Sequence, residues 1–290
     1  MHITFTGDVK QMKRTIKLLA VLMLAMCTSG FLFAKEKKTY VDLSFSVNLN
    51  FGCYKETTFS NISQSLLAPR FQIDTKIYSK NFLHMITADY FFCKPDSAMT
   101  RTTVIYRNYD PLTGEPYYET SNSSLSFHRI RLQYDLGYKV LNNEKYSFYV
   151  GGNFACNAYL QFENYPSITG LLSIGPSAAF KYNFNERHSI FISASMPFFG
   201  YGVRPSYAGC DALLMKYAEE DFIKILSLGN FLSLHNYQSL SFDIDYKFKI
   251  AKHFSAGLGF GFEYSRIAVP QERPLYFVDG CLKATATINF

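Results

Sequence analysis

The sequence predicts an all-β chain: a single closed, antiparallel, up-and-down transmembrane β-barrel of about ten strands, in a range of roughly 8–12, behind an export signal. Three observations predict it. Apolar and polar residues alternate with a period of two along most of the chain. The connections between these segments alternate between tight and long. Beyond the N-terminus no run of about 18 apolar residues exists from which a membrane-spanning helix could form, and the mean hydropathy is only −0.04.

The first element is the export signal, residues 1–34. Lys13, Arg14 and Lys17 precede the short apolar stretch Leu18–Ala25, and small residues follow up to Ala34, where cleavage is expected. Met12 lies directly before the basic pair and is an alternative true start. Cys27 offers a rival reading as an acylated lipoprotein cysteine, although Met26 is a poor residue before such a site. Both readings export the chain. Without residues 1–34 the charge falls from +6 to 25 basic against 22 acidic residues, net +3. That balance, with no clustered basic stripe, argues against a nucleic-acid partner.

Residues 35–290 read as one domain. In the first strand Val41, Leu43, Phe45, Val47, Leu49 and Phe51 alternate with Asp42, Ser44, Ser46, Asn48 and Asn50. Successive strand side chains point to opposite faces, so one face is oily and the other wet. The same pattern recurs over 129–140 and 240–249, and more softly over 70–78, 82–92, 146–160, 171–184, 188–198, 253–264 and 276–290. In 82–92, His84 and Asp89 fall on opposite faces. Pro176 and Pro197 each remove a ladder donor, which predicts a bulge or interruption in their strands.

Tight links are expected at Ser79–Asn81, Leu141–Lys145, Asn185–Arg187 and Ile250–Lys252, and long loops near 52–69, 93–123, 161–170, 199–239 and 265–275. A barrel with short periplasmic turns and long external loops gives this alternation; a Greek-key sandwich has no reason to. An even strand number also lets the first and last strands pair, so that no edge is left open in hydrocarbon. Aromatic residues gather near both strand ends, among them Tyr40, Tyr78 and Phe254 at one rim and Phe51, Tyr90 and Tyr264 at the other. In the loop 199–239, Asp211 is placed to cap a helix-like stretch running to Leu226, while Leu232 and Leu234 could extend a strand.

The last strand ends on Leu282, Ala284, Ala286, Ile288 and the terminal Phe290, all on one face. It resembles the final strand of bacterial outer-membrane barrels, and residues 40–290 resemble the small OmpA-like barrel class in architecture. The resemblance implies an outer-membrane location, contact with outer-membrane lipid, and recognition of Phe290 by the barrel-assembly machinery.

In such a barrel the wet faces line the lumen. Arg70, Asp74, Lys76, Arg129, Arg131, Asp135, Asp243, Asp245, Lys247, Glu263, Asp279 and Lys283 then point inward with mixed signs, and Gly257, Gly259 and Gly261 make room for long neighbours. About ten strands enclose a narrow interior, so a salt-bridged filled lumen is the first expectation and a narrow pore or small-ligand cavity the second. Catalysis has little support: His128 and His235 lie where surface chemistry is placed, with Ser126, Glu263 and Asp279 as candidate acidic or hydroxyl neighbours, but no spacing joins them into a nucleophile–base set. The cysteines show no metal-ligand spacing; Cys53 and Cys93, both at outer strand ends, allow a disulfide, and Cys156 is expected to face lipid. No cofactor is implied. The function that follows is that of a non-enzymatic structural or adhesin-like surface protein whose external loops hold a ligand. The alternatives are a passive pore, a surface enzyme, and, outside membranes, a secreted β-sandwich.

Overall fold

The computed structural model describes residues 39–57, 63–94, 101–109, 112–124, 126–162, 167–204, 224, 227–269 and 273–290. Its strands are β1 (Tyr40–Glu56), β2 (Gln64–Tyr78), β3 (Phe82–Cys93), β4 (Arg101–Tyr109), β5 (Pro116–Ser124), β6 (Ser126–Asn142) and β7 (Tyr146–Phe162). They continue with β8 (Ser167–Asn183), β9 (His188–Ser195), β10 (Phe199–Val203), β11 (Asn230–Leu232), β12 (Tyr237–Ala251), β13 (Phe254–Ile267) and β14 (Leu275–Asn289). The export signal and the helix-like stretch expected after Asp211 lie outside the described residues, apart from Lys224.

The strands close into an antiparallel barrel of ten staves, with β9 and β10 forming one broken stave and β11 and β12 another. Closure comes from β1 pairing with β14 along its length, from Asp42↔Asn289 to Glu56↔Leu275. Every stave therefore has a neighbour on both sides, as backbone groups in hydrocarbon require.

The outward faces are apolar and bare. Phe45 is 47% exposed, Val47 57% and Leu258 69%, while Ser44, Ser46 and Asn48 beside the first two, and Ser255 on the strand of the third, are buried inward. A secreted sandwich would bury the large apolar residues between its sheets. Here the polar set is buried and the apolar set exposed, the inverted arrangement that a lipid solvent stabilises.

Several sequence expectations change in detail. Pro176 leaves β8 unbroken, and its carbonyl accepts a hydrogen bond from the Met196 amide at 3.0 Å. The interruption falls instead at Met196–Phe198, where Pro197 lacks the donor: β8 pairs Ser177↔Ser195 below it and Ile174↔Phe199 above, one extra residue on the proline side. The adjacent stave absorbs four residues, Ser233–Asn236, in a turn closed by the Tyr237 amide donating to the Ser233 carbonyl at 2.7 Å. Leu232 ends β11, and Leu234 belongs to this turn rather than to a strand.

The region 93–123, expected to be loop, contains the hairpin β4–β5, paired from Arg101↔Ser124 to Tyr109↔Pro116. Its turn includes Gly114 at φ 71°, a left-handed conformation that glycine adopts without strain. The connection expected at 161–170 contracts to 163–166, because β7 and β8 continue to Phe162 and from Ser167. Strands that outrun the bilayer remain paired in water, which hydropathy alone does not register.

Candidate functional site: the lumen

The lumen is built in three levels. Those nearest the short turns are wet. Lys247 bonds Asp42 at 2.8 Å and Asn289 at 2.6 Å, and Tyr40 donates to Asn289 at 3.0 Å. Lys181 sits over the ring of Tyr78 at 4.4 Å. Slightly deeper, Lys76 faces Asp245 at 3.4 Å and Lys283 binds Asp243, with Asp245 at 3.6 Å. The side chains of Asp243 and Asp245 are about 30% exposed, so water reaches this level. Asp74 accepts from Thr87 at 2.7 Å and Gln72 at 2.8 Å.

Long side chains fit here because β13 is thin on its inner face. A Cβ at Gly261 would stand 2.7 Å from Cys281 Sγ, 2.8 Å from Asp243 Oδ1 and 3.1 Å from Lys283 Cε. One at Gly259 would stand 2.6 Å from Asp245 Oδ1.

The middle level is dry. Arg129, 0% exposed, bonds Glu263 at 2.6 Å, and Arg131 bonds the same Glu263 oxygen at 2.8 Å. Arg70 bonds Asp89 at 2.8 Å and stands 3.8 Å from Asp279; Asp279 also accepts a hydrogen bond from Asn50. Asp135 accepts from Gln133 at 2.7 Å and Asn153 at 2.8 Å. Removing ions from water costs several kcal/mol each, so three guanidinium groups persist here because three carboxylates interleave with them.

The outermost level is apolar, and no expectation from the sequence anticipated it. Tyr54, Leu66, Phe91, Phe127, Tyr159, Tyr237, Leu275 and Phe277 form one buried cluster across the lumen. Tyr54 and Phe127 rings are 4.4 Å apart, and Phe127 stacks on Phe277 at 6.2 Å. The Arg129 guanidinium lies 4.8 Å from the Phe277 ring, which joins the dry charged level to this plug. Above it, Arg204 at the end of β10 bonds Glu56 at the end of β1 and donates to the Val269 carbonyl at 2.8 Å. The available signal was phase: Phe91, Phe127 and Phe277 share parity with Asp89, Arg129 and Asp279 and so belong to the inner face.

Two cavities of about 50 and 40 Å³ lie among the charged levels. At about 10–15 Å³ per water each has room for a few waters, and neither is lined by a residue of the aromatic plug.

The acidic residues considered for catalysis are not brought to His128. His128 points outward, where its Nδ1 pairs with the Tyr90 hydroxyl at 2.8 Å, whereas Glu263 and Asp279 point inward to arginines. His235 pairs with Ser233 at 2.6 Å on the exposed turn after β11. Among the described residues no group of three or more His, Cys, Asp and Glu side chains is arranged to hold a metal. The Cys53–Cys93 disulfide is also excluded: both are free thiols, on strands separated by β2, with Cys93 facing the lumen and Cys53 the outside. Cys156 lies on the outer face, between the buried Ala155 and Asn157.

No protein-family model matches the sequence, and no curated protein is detectably similar to it. Among solved structures, the outer-membrane protease OmpT of Escherichia coli superposes with a TM-score of 0.51 at 6% identity, covering 88% of this chain and 98% of that one. The translocator domain of the autotransporter NalP from Neisseria meningitidis gives 0.38 at 7% identity, covering 96% and 98%. Ail, the attachment invasion locus protein of Yersinia pestis, gives 0.30 at 9% identity, covering 87% and 99%. At such identities the first likeness concerns the fold. That fold is the bacterial outer-membrane β-barrel, and with its apolar belt turned outward the chain is an integral outer-membrane barrel.

Proposed function

We propose that this protein is a closed, non-enzymatic outer-membrane barrel that acts through what it displays outside, as a structural or ligand-binding surface protein. The observation that carries this reading is the sealed lumen: ion pairs fill the middle, and the Tyr54–Phe127–Phe277 plug covers them on the long-loop side. A conducting path would have to displace the aromatic rings that pack across the lumen, with centroids 4.4–6.3 Å apart. The hairpin β4–β5, on the external side, is the candidate ligand-bearing element. Residues 1–34 serve as the export signal in this reading. The outward, half-exposed Phe290, whose amide donates to the Val41 carbonyl at 2.9 Å, is the element offered to the assembly machinery.

The test is single-channel recording of the purified barrel in planar bilayers. Silence across a wide voltage range is expected. Stable, reproducible openings would replace this reading with the passive pore, for which the wet lower lumen would be the vestibule.

A further inference from the structure

The outer face of three adjacent staves is uniformly apolar and then abruptly cationic. On β1 the outward residues from Leu43 to Cys53 are Leu, Phe, Val, Leu, Phe and Cys; on β13, from Phe254 to Tyr264, they are Phe, Ala, Leu, Phe, Phe and Tyr; on β14, from Ile288 to Val278, they are Ile, Ala, Ala, Leu, Gly and Val. At about 3.4 Å per residue and a tilt of ~40°, each run rises roughly 26 Å, which matches the ~25 Å apolar band of an outer-membrane barrel. The next outward residue on each strand is Lys55, Arg266 and Tyr276 respectively.

Register puts these three side by side. Tyr276 is paired to Lys55 on one side and to Arg266 on the other. All three point away from the lumen, because their sequence neighbours Tyr54, Glu56, Ser265, Ile267, Leu275 and Phe277 are buried within it. The Arg266 guanidinium lies 5.9 Å from the Tyr276 ring. Among the described residues neither cation has a salt-bridge partner, and the outer faces of β12, β13, β14, β1 and β2 carry no carboxylate there. On other staves the outward residues near this rim include Leu67, Phe92, Leu160 and Leu240, with a single cation, Lys94, one step beyond Phe92 and no second cation beside it among the described residues.

We infer that Lys55, Arg266 and Tyr276 form a docking site for the phosphorylated headgroup of an outer-leaflet glycolipid. Two unpaired cations flanking a phenol, about two strand spacings apart, match a phosphate that bridges them with an adjoining sugar ring against the tyrosine. The depth selects the occupant: these groups stand where the acyl chains end on the long-loop side, so the anion at hand is a lipid headgroup anchored by its own chains along the Phe, Leu and Ala rows below.

The full-length barrel, folded in a non-ionic detergent, is titrated with bisphosphorylated lipid A and with its dephosphorylated form, and bound lipids are counted by native mass spectrometry. The wild type is expected to prefer the phosphorylated form, and the double variant Lys55→Ala/Arg266→Ala to lose about thirtyfold in affinity for it, near the sum of two surface cations. Lys55→Arg/Arg266→Lys should keep the preference, and Lys94→Ala, on another stave, should leave it untouched. Heat-modifiable gel migration checks that each variant is folded. Equal binding by the double variant, no preference for phosphate, or equally tight retention of phosphatidylglycerol would each overturn the assignment.

Discussion

Arg204 and Glu56 form a buried ion pair across the barrel mouth, joining the end of β10 to the end of β1, strands that are not neighbours in the sheet. The guanidinium also donates to the carbonyls of Ile267 and Val269 at the end of β13. One side chain thus ties three parts of the rim together above the aromatic plug.

Because this pair is dry, its single variants should be more harmful than its loss as a whole. Arg204→Ala leaves the Glu56 carboxylate buried and is expected to cost about 3–5 kcal/mol of unfolding free energy. Arg204→Met/Glu56→Gln should recover a good part of that. Reversible urea unfolding in lipid, followed by tyrosine fluorescence, measures both. Equal losses in the single and double variants would mean that the pair is not dry.

The plug itself can be opened from within. Phe127→Ala/Phe277→Ala removes two stacked rings and should produce ion conduction in a barrel that otherwise stays silent. Phe127→Leu alone, which keeps most of the volume, should not. Conduction by the wild type, or none by the double variant, counts against a seal at this level.

A branched side chain at Gly261 should be poorly tolerated. Even a Cβ there would stand within about 3 Å of the side-chain ends of Cys281, Asp243 and Lys283, which would have to move. Gly261→Val is expected to cost about 1–3 kcal/mol through overpacking, with the ion pair Lys283–Asp243 displaced. Gly170→Ala, at a position with no heavy atom within 4 Å of the added carbon, is the matched control and should fold like the wild type.

Nitroxide labels check the inverted surface. Labels at Val47 and Leu258 should be accessible to oxygen dissolved in the bilayer and shielded from a water-soluble nickel chelate, whereas a label at Asp245 should meet the chelate from the short-turn side. Shielding of Val47 from both quenchers would place it in a protein core instead.

The sequence by itself determined the barrel. Alternation such as that from Val41 to Phe51 fixes which face is oily, and the even count of ten staves lets β1 meet β14. Both are local or one-dimensional properties, written along the chain at a period of two. The inward charges were legible for the same reason: Arg70, Arg129, Arg131, Asp243, Asp245, Glu263, Asp279 and Lys283 sit opposite the apolar positions of their strands. Only the tertiary structure decided who pairs with whom. Arg129 meets Glu263, and Arg204 meets Glu56, across separations of 134 and 148 residues. Such pairings depend on barrel circumference, strand stagger and side-chain reach, none of which a single strand encodes. The aromatic plug belongs to the same class, since Phe127 looks like any other strand aromatic until closure brings Tyr54, Tyr159 and Phe277 around it.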